Sequence, residues 1–98
     1  MDYLLEAYKH NGIVKWRKVP APAGTLRDYL GSTLRSFRKS KGLTMRDVEG
    51  ISLAYISEVE RGMKDVSSEM LESLCEGLGV KLSDVLRQTA DKLEEVGK

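Results

Sequence analysis

Between Ser52 and Gly62 the chain reads Ser-Leu-Ala-Tyr-Ile-Ser-Glu-Val-Glu-Arg-Gly, and its residue types sort onto two sides of one short helix. Ile56 and Val59, three apart, fall on a buried face. Leu53, Ala54, Ser57 and Arg61 are left outside. The chemistry open to that outer set is recognition rather than reaction: a hydroxyl that donates or accepts, small apolar groups and a guanidinium. A helix of about two and a half turns with small and polar groups at its N-terminal end suits a DNA major groove.

Nothing else in the chain offers catalysis. It has no Gly-rich phosphate loop, no Cys/His cluster and no nucleophile with a plausible base. The carboxylates are spaced as helix-surface residues. His10 has no partner at metal-ligand spacing. Cys75 sits with Leu71, Leu74 and Leu78 at i, i+3, i+4 and i+7, which makes it a small buried filler. No group nearby in sequence would lower its pKa. The expectation is a chain that is not an enzyme and needs neither cofactor nor metal.

The elements that must hold the 52–61 helix are marked by repeated start signals. Ser52 is an N-cap, and Ile51 with Ile56 forms a hydrophobic staple. Upstream, Thr44 caps a second start, Asp47 completes a capping box, and Leu43 with Val48 forms another staple. Gly50 breaks the chain between them. Val66, Ser67 and Leu71 repeat the arrangement a third time. Two capped helices separated by a Gly turn form a helix-turn-helix.

Residues 25–41 are predicted as the first helix of this unit, with Leu26, Leu30, Leu34 and Phe37 as its apolar stripe. Arg35, Arg38, Lys39 and Lys41 cluster near its end, where the helix dipole alone could account for them. A further helix is expected from about Ser68 to Leu78, ended by Gly79. Val85, Leu86, Thr89, Leu93 and Val96 continue an apolar seam through a fifth helix. That seam is longer than one core needs, and a partner helix across a two-fold axis would bury it.

Residues 1–24 are the least legible. Asp2 to Lys9 is read as a helix with Leu4, Leu5 and Tyr8 on one side, followed by a break at Asn11-Gly12. Ile13 to Val19 is β-prone and contains Lys15-Trp16-Arg17-Lys18. Pro20 to Gly24 reads as an extended linker. The basic run could serve as an arm on phosphates or a minor groove. The reading preferred here is a flexible extension, or a packing segment in which Trp16 covers apolar surface. The domain division is therefore 1–24, extension and linker, and 25–98, helix-turn-helix domain with a C-terminal dimerisation helix.

Ninety-eight residues allow one domain. The net charge of +1 hides a polarity: +2 over residues 1–24, +5 over 25–46 and −6 over 47–98. A folded domain could thus have a phosphate-facing side, although solvation explains the acidic half as well. No apolar run approaches the length of a membrane span. The N-terminus lacks the features of a signal peptide, and a lone cysteine fits a reducing cytoplasm.

On these residues the run from about Leu26 to Arg87 resembles the Xre-type (lambda repressor/Cro-like) helix-turn-helix family. The matching features are Gly42-Leu43-Thr44, Ile51-Ser52, Tyr55-Ile56-Ser57, Glu60-Arg61-Gly62 and Leu78-Gly79-Val80. Within it, Ser52 to Gly62, Ser67 to Leu71 and Leu82 to Arg87 look like the actinobacterial regulators of Clp protease genes (ClgR-like). The chain departs from the family between Val48 and Gly50, where it is about three residues short. Two helices are still expected, with an altered crossing angle.

The resemblance implies an all-α, five-helix, lambda-repressor-like domain. It implies that Leu53, Ala54 and Ser57 face base edges. It places Arg35 or Arg38, Thr44, Tyr55 and Arg61 on phosphates. For each residue a surface or capping role is the alternative, and Tyr55 could pack on the preceding helix instead. The expected function is a sequence-specific, double-stranded DNA-binding transcription regulator. It would act as a cytoplasmic homodimer on a pseudo-palindromic operator. The alternative is a protein-interaction module, antitoxin-like or bound to an unidentified partner, in which the shortened helix has weakened DNA docking.

Overall fold

The computed structural model describes residues 3–20 and 26–97. It begins with two strands, β1 (Tyr3–His10) and β2 (Ile13–Pro20), paired antiparallel from Tyr3↔Pro20 to His10↔Ile13. Four helices follow: α1 (Leu26–Ser40), α2 (Leu53–Glu60), α3 (Ser68–Leu78) and α4 (Leu82–Glu95). A single 3-10 turn, Met45–Asp47, lies between α1 and α2.

This architecture corrects the all-α, five-helix expectation in two places. The N-terminal segment read as a helix is β1. Asn11 and Gly12 both take positive φ, 52° and 78°. That is the primed turn whose twist matches a two-stranded hairpin, and Asn-Gly is its preferred sequence. Asn11-Gly12 is therefore a connection as well as a break, and pairing with the β-prone 13–20 run overrides the weak helical pattern of residues 2–9. The expected linker falls mostly on residues 21–25, outside the described residues.

The second helix of the helix-turn-helix is the other correction, since only the 3-10 turn forms there. Its start signals are present. The Asp47 carboxylate accepts from the Thr44 backbone N–H at 2.7 Å and from the Thr44 hydroxyl at 2.9 Å. Those bonds hold Asp47 below the usual carboxylate pKa range. But Gly50 (φ 79°) and the Ser52 cap follow so closely that no second turn can be wound.

Helix stops are built alike. After α1, Leu43 N–H reaches the Arg38 carbonyl at 3.1 Å and Gly42 N–H the Lys39 carbonyl at 3.0 Å. After α2, Met63 N–H reaches Glu58 at 2.9 Å and Gly62 N–H reaches Val59 at 3.0 Å. These are Schellman closures, which require a left-handed residue at the glycine.

Leu34, Val48, Ile56, Val59, Leu74, Cys75, Leu78 and Val85 make one buried cluster. Leu30, Phe37 and Leu71 pack against it, whereas Leu26, expected in the stripe, is 60% exposed. Helix α1 is central, packing on both α2 and α4. Its polar contact with α4 is buried. The Thr33 hydroxyl reaches the Tyr29 carbonyl at 2.9 Å and lies 3.2 Å from the Thr89 hydroxyl, which reaches the Val85 carbonyl at 2.8 Å. Among the described residues no buried side-chain polar atom lacks a partner.

Candidate nucleic-acid interface

Helix α2 starts at the Ser52 cap, whose hydroxyl accepts from Tyr55 N–H at 3.1 Å. Ile56 and Val59 enter the core, as their spacing requires. Leu53 and Ala54 stand exposed at the N-terminal end, and Ser57 is half-buried one turn later. Arg61 is exposed, its Nε 3.3 Å from the Ser57 carbonyl. Tyr55 is half-buried under the Lys64 ammonium, 4.9 Å from its ring centroid. Lys64 also pairs with Glu58 at 3.2 Å.

Two features fix α2 against α1. Gly31 is a helical glycine with no room for a side chain. A Cβ there would overlap the Val59 carbonyl oxygen and lie 3.0 Å from that of Glu60. The backbone of α2's last turn therefore rests directly on α1. The second feature is an ion pair. Arg38 Nε donates to Glu60 Oε2 at 2.7 Å and Nη2 to Oε1 at 2.9 Å. Nη1 donates to the Leu43 carbonyl at 2.8 Å. The Glu60 carboxylate raises the guanidinium pKa above its ordinary value. Planar, bidentate pairing of this kind sets orientation as well as distance.

The sequence-derived phosphate set is thus divided. Arg35 and Arg61 are exposed and Thr44 is exposed in its capping box. Arg38 is not presented outward: its side chain is 8% exposed and all its contacts are internal. Its reading as a phosphate ligand gives way to one in which it positions α2. Helical position alone could not separate Arg35 from Arg38, because the carboxylate that captures Arg38 is 22 residues away. Gly31 went unnoticed at the sequence level, and Glu60 entered only within the Glu60-Arg61-Gly62 motif, without a role of its own. A glycine inside an apolar-striped helix was the available signal for Gly31. Lys64, beside Tyr55, was also missed, and nothing in its spacing marks it.

The expected dimer seam is divided too. Val85 and Thr89 are buried in the chain's own core. Leu86 and Val96 are 50% and 39% exposed, with Leu93 partly buried between them. Leu86 therefore lies outside the chain's own core.

A capped 3-10 turn, the Gly50 break and a capped helix braced on α1 make a helix-turn-helix unit whose first helix is cut to a single turn. The chain belongs to the helix-turn-helix domain family, whose model matches residues 29–90. It is 40% identical over 74 residues to the transcriptional regulator ClgR of Mycobacterium tuberculosis, an alignment covering 72% of this chain and 66% of that protein. The aligned part is just under two thirds of the relative's length. Among solved structures, the clp gene regulator ClgR from Corynebacterium glutamicum superposes with a TM-score of 0.68 at 46% identity, covering 74% of this chain and 81% of that one. The restriction-modification controller protein C.Esp1396I, solved as a tetramer with its 35 base-pair operator, has a TM-score of 0.67. At 22% identity, over 71% of this chain and 96% of that one, it shows a shared fold. The Xre-type, ClgR-like resemblance read from the sequence holds. These relatives are regulators, a class that is not enzymatic.

Among the described residues, no group of three or more His, Cys, Asp or Glu could hold a metal. No described helix is long and apolar enough to cross a membrane.

Proposed function

We propose that this chain is a cytoplasmic transcription regulator that binds double-stranded DNA in a sequence-specific manner, with α2 in the major groove. The observation that carries the reading is the setting of α2. Its inner side is locked by Gly31 and the Arg38–Glu60 pair, while Leu53 and Ala54 stand exposed at the end that would enter a groove, with Ser57 half-buried one turn on. Similarity to ClgR regulators supports it. Leu53 or Ala54 meets a thymine methyl, and Ser57 meets a base edge. Arg35, Arg61, Thr44 and Tyr55 hold the backbone, with Lys64 added to that set.

Operator selection followed by footprinting and titration tests this. Ala54→Glu should lose about 1–3 kcal/mol or more of specific binding, because it sets a carboxylate among phosphates. Arg35→Ala and Arg61→Ala should each flatten the log–log salt dependence by about one. An Ala54→Glu chain that binds its operator as tightly as the parent sinks the groove assignment.

We further propose a homodimer on a pseudo-palindrome, joined through α4. Leu86, Leu93 and Val96 repeat at i, i+7 and i+10, one outward stripe of the kind a second copy covers. Leu86→Lys with Leu93→Glu should sediment as a monomer. A double variant as dimeric as the parent places the interface elsewhere. One observation favours a second reading, a protein-interaction module: the helix that normally precedes the recognition helix is reduced to a 3-10 turn. Absence of any salt-dependent binding to duplex DNA would select that reading.

A further inference from the structure

The register of the hairpin decides which of its residues share a face, because directly opposed residues lie on one side and successive residues alternate. Glu6, Tyr8 and Arg17 fall on one face, with Glu6 opposite Arg17. Glu6 and Tyr8 are half-buried, and all three border the space between the hairpin, α1 and α4. The Arg17 guanidinium pairs with Glu6 at 3.0 Å and lies 5.1 Å from the Tyr8 ring centroid, so this face is satisfied within the chain. The other face carries Leu5, Ala7, Lys9, Val14, Trp16 and Lys18. Ala7 is opposite Trp16 at its centre, and Lys9 and Lys18 stand at diagonal corners. Leu5, Val14 and Trp16 are 61%, 56% and 65% exposed. A two-stranded hairpin is marginal by itself, and an apolar face turned to water adds to that cost. The chain's own α4 lies on the opposite side and does not cover it.

A second uncovered apolar strip lies on α4. Leu86, Ala90 and Leu93 repeat at i, i+4 and i+7, with Val96 beyond them. Leu86 and Ala90 are exposed and Leu93 is half-buried. The two surfaces match in length. From Leu86 to Val96 a helix rises about 15 Å, and from Leu5 to Lys9 a strand runs about 14 Å. They also match in charge. The hairpin, residues 3–20, has four cations and one carboxylate, a balance of +3. Helix α4 has four carboxylates and two cations, a balance of −2. Glu94 borders the α4 strip, four residues from Ala90. Hairpin against hairpin, or α4 against α4, sets like charge on like, whereas hairpin against α4 sets opposite charges together.

We propose that in the homodimer the outer face of each hairpin covers the α4 strip of the other copy, so that the contact is made twice across the two-fold axis. This rests on the homodimer reading and names what covers α4. Trp16 is buried at the centre of each contact, and Lys9 and Lys18 meet the carboxylates of the partner's helix. A membrane surface would suit Trp16 and the lysines but would leave the α4 strip bare. Nucleic acid would set Leu5 and Val14 against phosphates.

Trp16 is the chain's one tryptophan, so its emission reports on this face. The full chain is diluted through its monomer–dimer range, followed by sedimentation and by fluorescence. Trp16 emission should lie at shorter wavelength in the dimer and move to that of a water-exposed indole in the monomer. Lys9→Glu with Lys18→Glu should weaken the dimer about tenfold or more, and adding Glu94→Lys with Glu95→Lys to the same chain should restore it. A short bis-maleimide should join a mixture of Ala7→Cys and Ala90→Cys chains but neither variant alone, with the parent, whose Cys75 is buried, as control. All the substituted residues are exposed, and far-ultraviolet circular dichroism checks that each variant folds. A monomeric parent removes the homodimer reading and this contact with it. A dimer whose Trp16 emission stays that of an exposed indole keeps the homodimer and overturns the hairpin contact. Cross-linking of Ala90→Cys alone as efficiently as in the mixture does the same, and assigns the interface to α4 against α4. A Trp16 shift on anionic vesicles, with none on dimer formation, also overturns the proposal and gives the face to a membrane surface.

Discussion

Replacing Arg38 by alanine separates the structural reading of this residue from the phosphate reading that its sequence position invites. The guanidinium makes three short internal hydrogen bonds, two to Glu60 and one to the Leu43 carbonyl. The paired side chains are 8% and 5% exposed. Arg38→Ala leaves the Glu60 carboxylate buried beside a void, without its cation. Breaking a buried pair from one side typically costs about 3–5 kcal/mol. A small domain has only about 5–15 kcal/mol in all. With a urea slope of about 1–3 kcal/mol/M, the unfolding midpoint should fall by roughly 2 M, or the chain should fail to fold. Arg38→Met with Glu60→Leu should recover most of the loss, since an apolar replacement of both partners is often near neutral. The assay is urea denaturation followed by far-ultraviolet circular dichroism, with DNA binding measured on the folded fraction. A loss below about 1 kcal/mol, together with a flatter salt dependence of DNA binding, would refute the argument and return Arg38 to the phosphate set.

Further tests fall on other links of the same unit. Gly31→Ala adds helix propensity worth about 1 kcal/mol but drives a methyl into the Val59 carbonyl. The net change should be a destabilisation of about 1–3 kcal/mol, with α1 and α2 pushed apart, and a raised melting temperature would contradict the close approach. Asp47 is a group whose folded pKa is depressed by the Thr44 bonds, so its contribution is present above its unfolded pKa and lost as pH falls through the folded one. The parent chain should therefore lose stability relative to Asp47→Asn on acidification below the usual carboxylate range, read from melts across acid pH. A constant difference across that range would mean that the capping bonds do not act on the ionised form.

How much was legible in advance differs sharply between parts of the chain. The caps and stops of α2 and α3 were written locally. Ser52, Ser67, Gly62 and Gly79 act on backbone groups within a few residues, so sequence order already placed donor beside acceptor. The inward residues Ile56, Val59, Leu74 and Leu78 followed from a period of 3.6. The family resemblance rested on these same local signals.

Other features depended on what lay opposite. The hairpin arose because two segments, each weakly biased alone, were brought into register by Asn11-Gly12. The shortened element became a 3-10 turn because Gly50 and Ser52 left no room to wind further. The roles of Arg38, Thr89 and Leu86 were decided by contacts with Glu60 and Thr33, or by the lack of cover. Local order set by hydrogen bonds over three or four residues is encoded in the run itself. Which charge is buried and which apolar face stays open was set by packing between residues 22 or more apart in the chain, and only the folded structure brings those together.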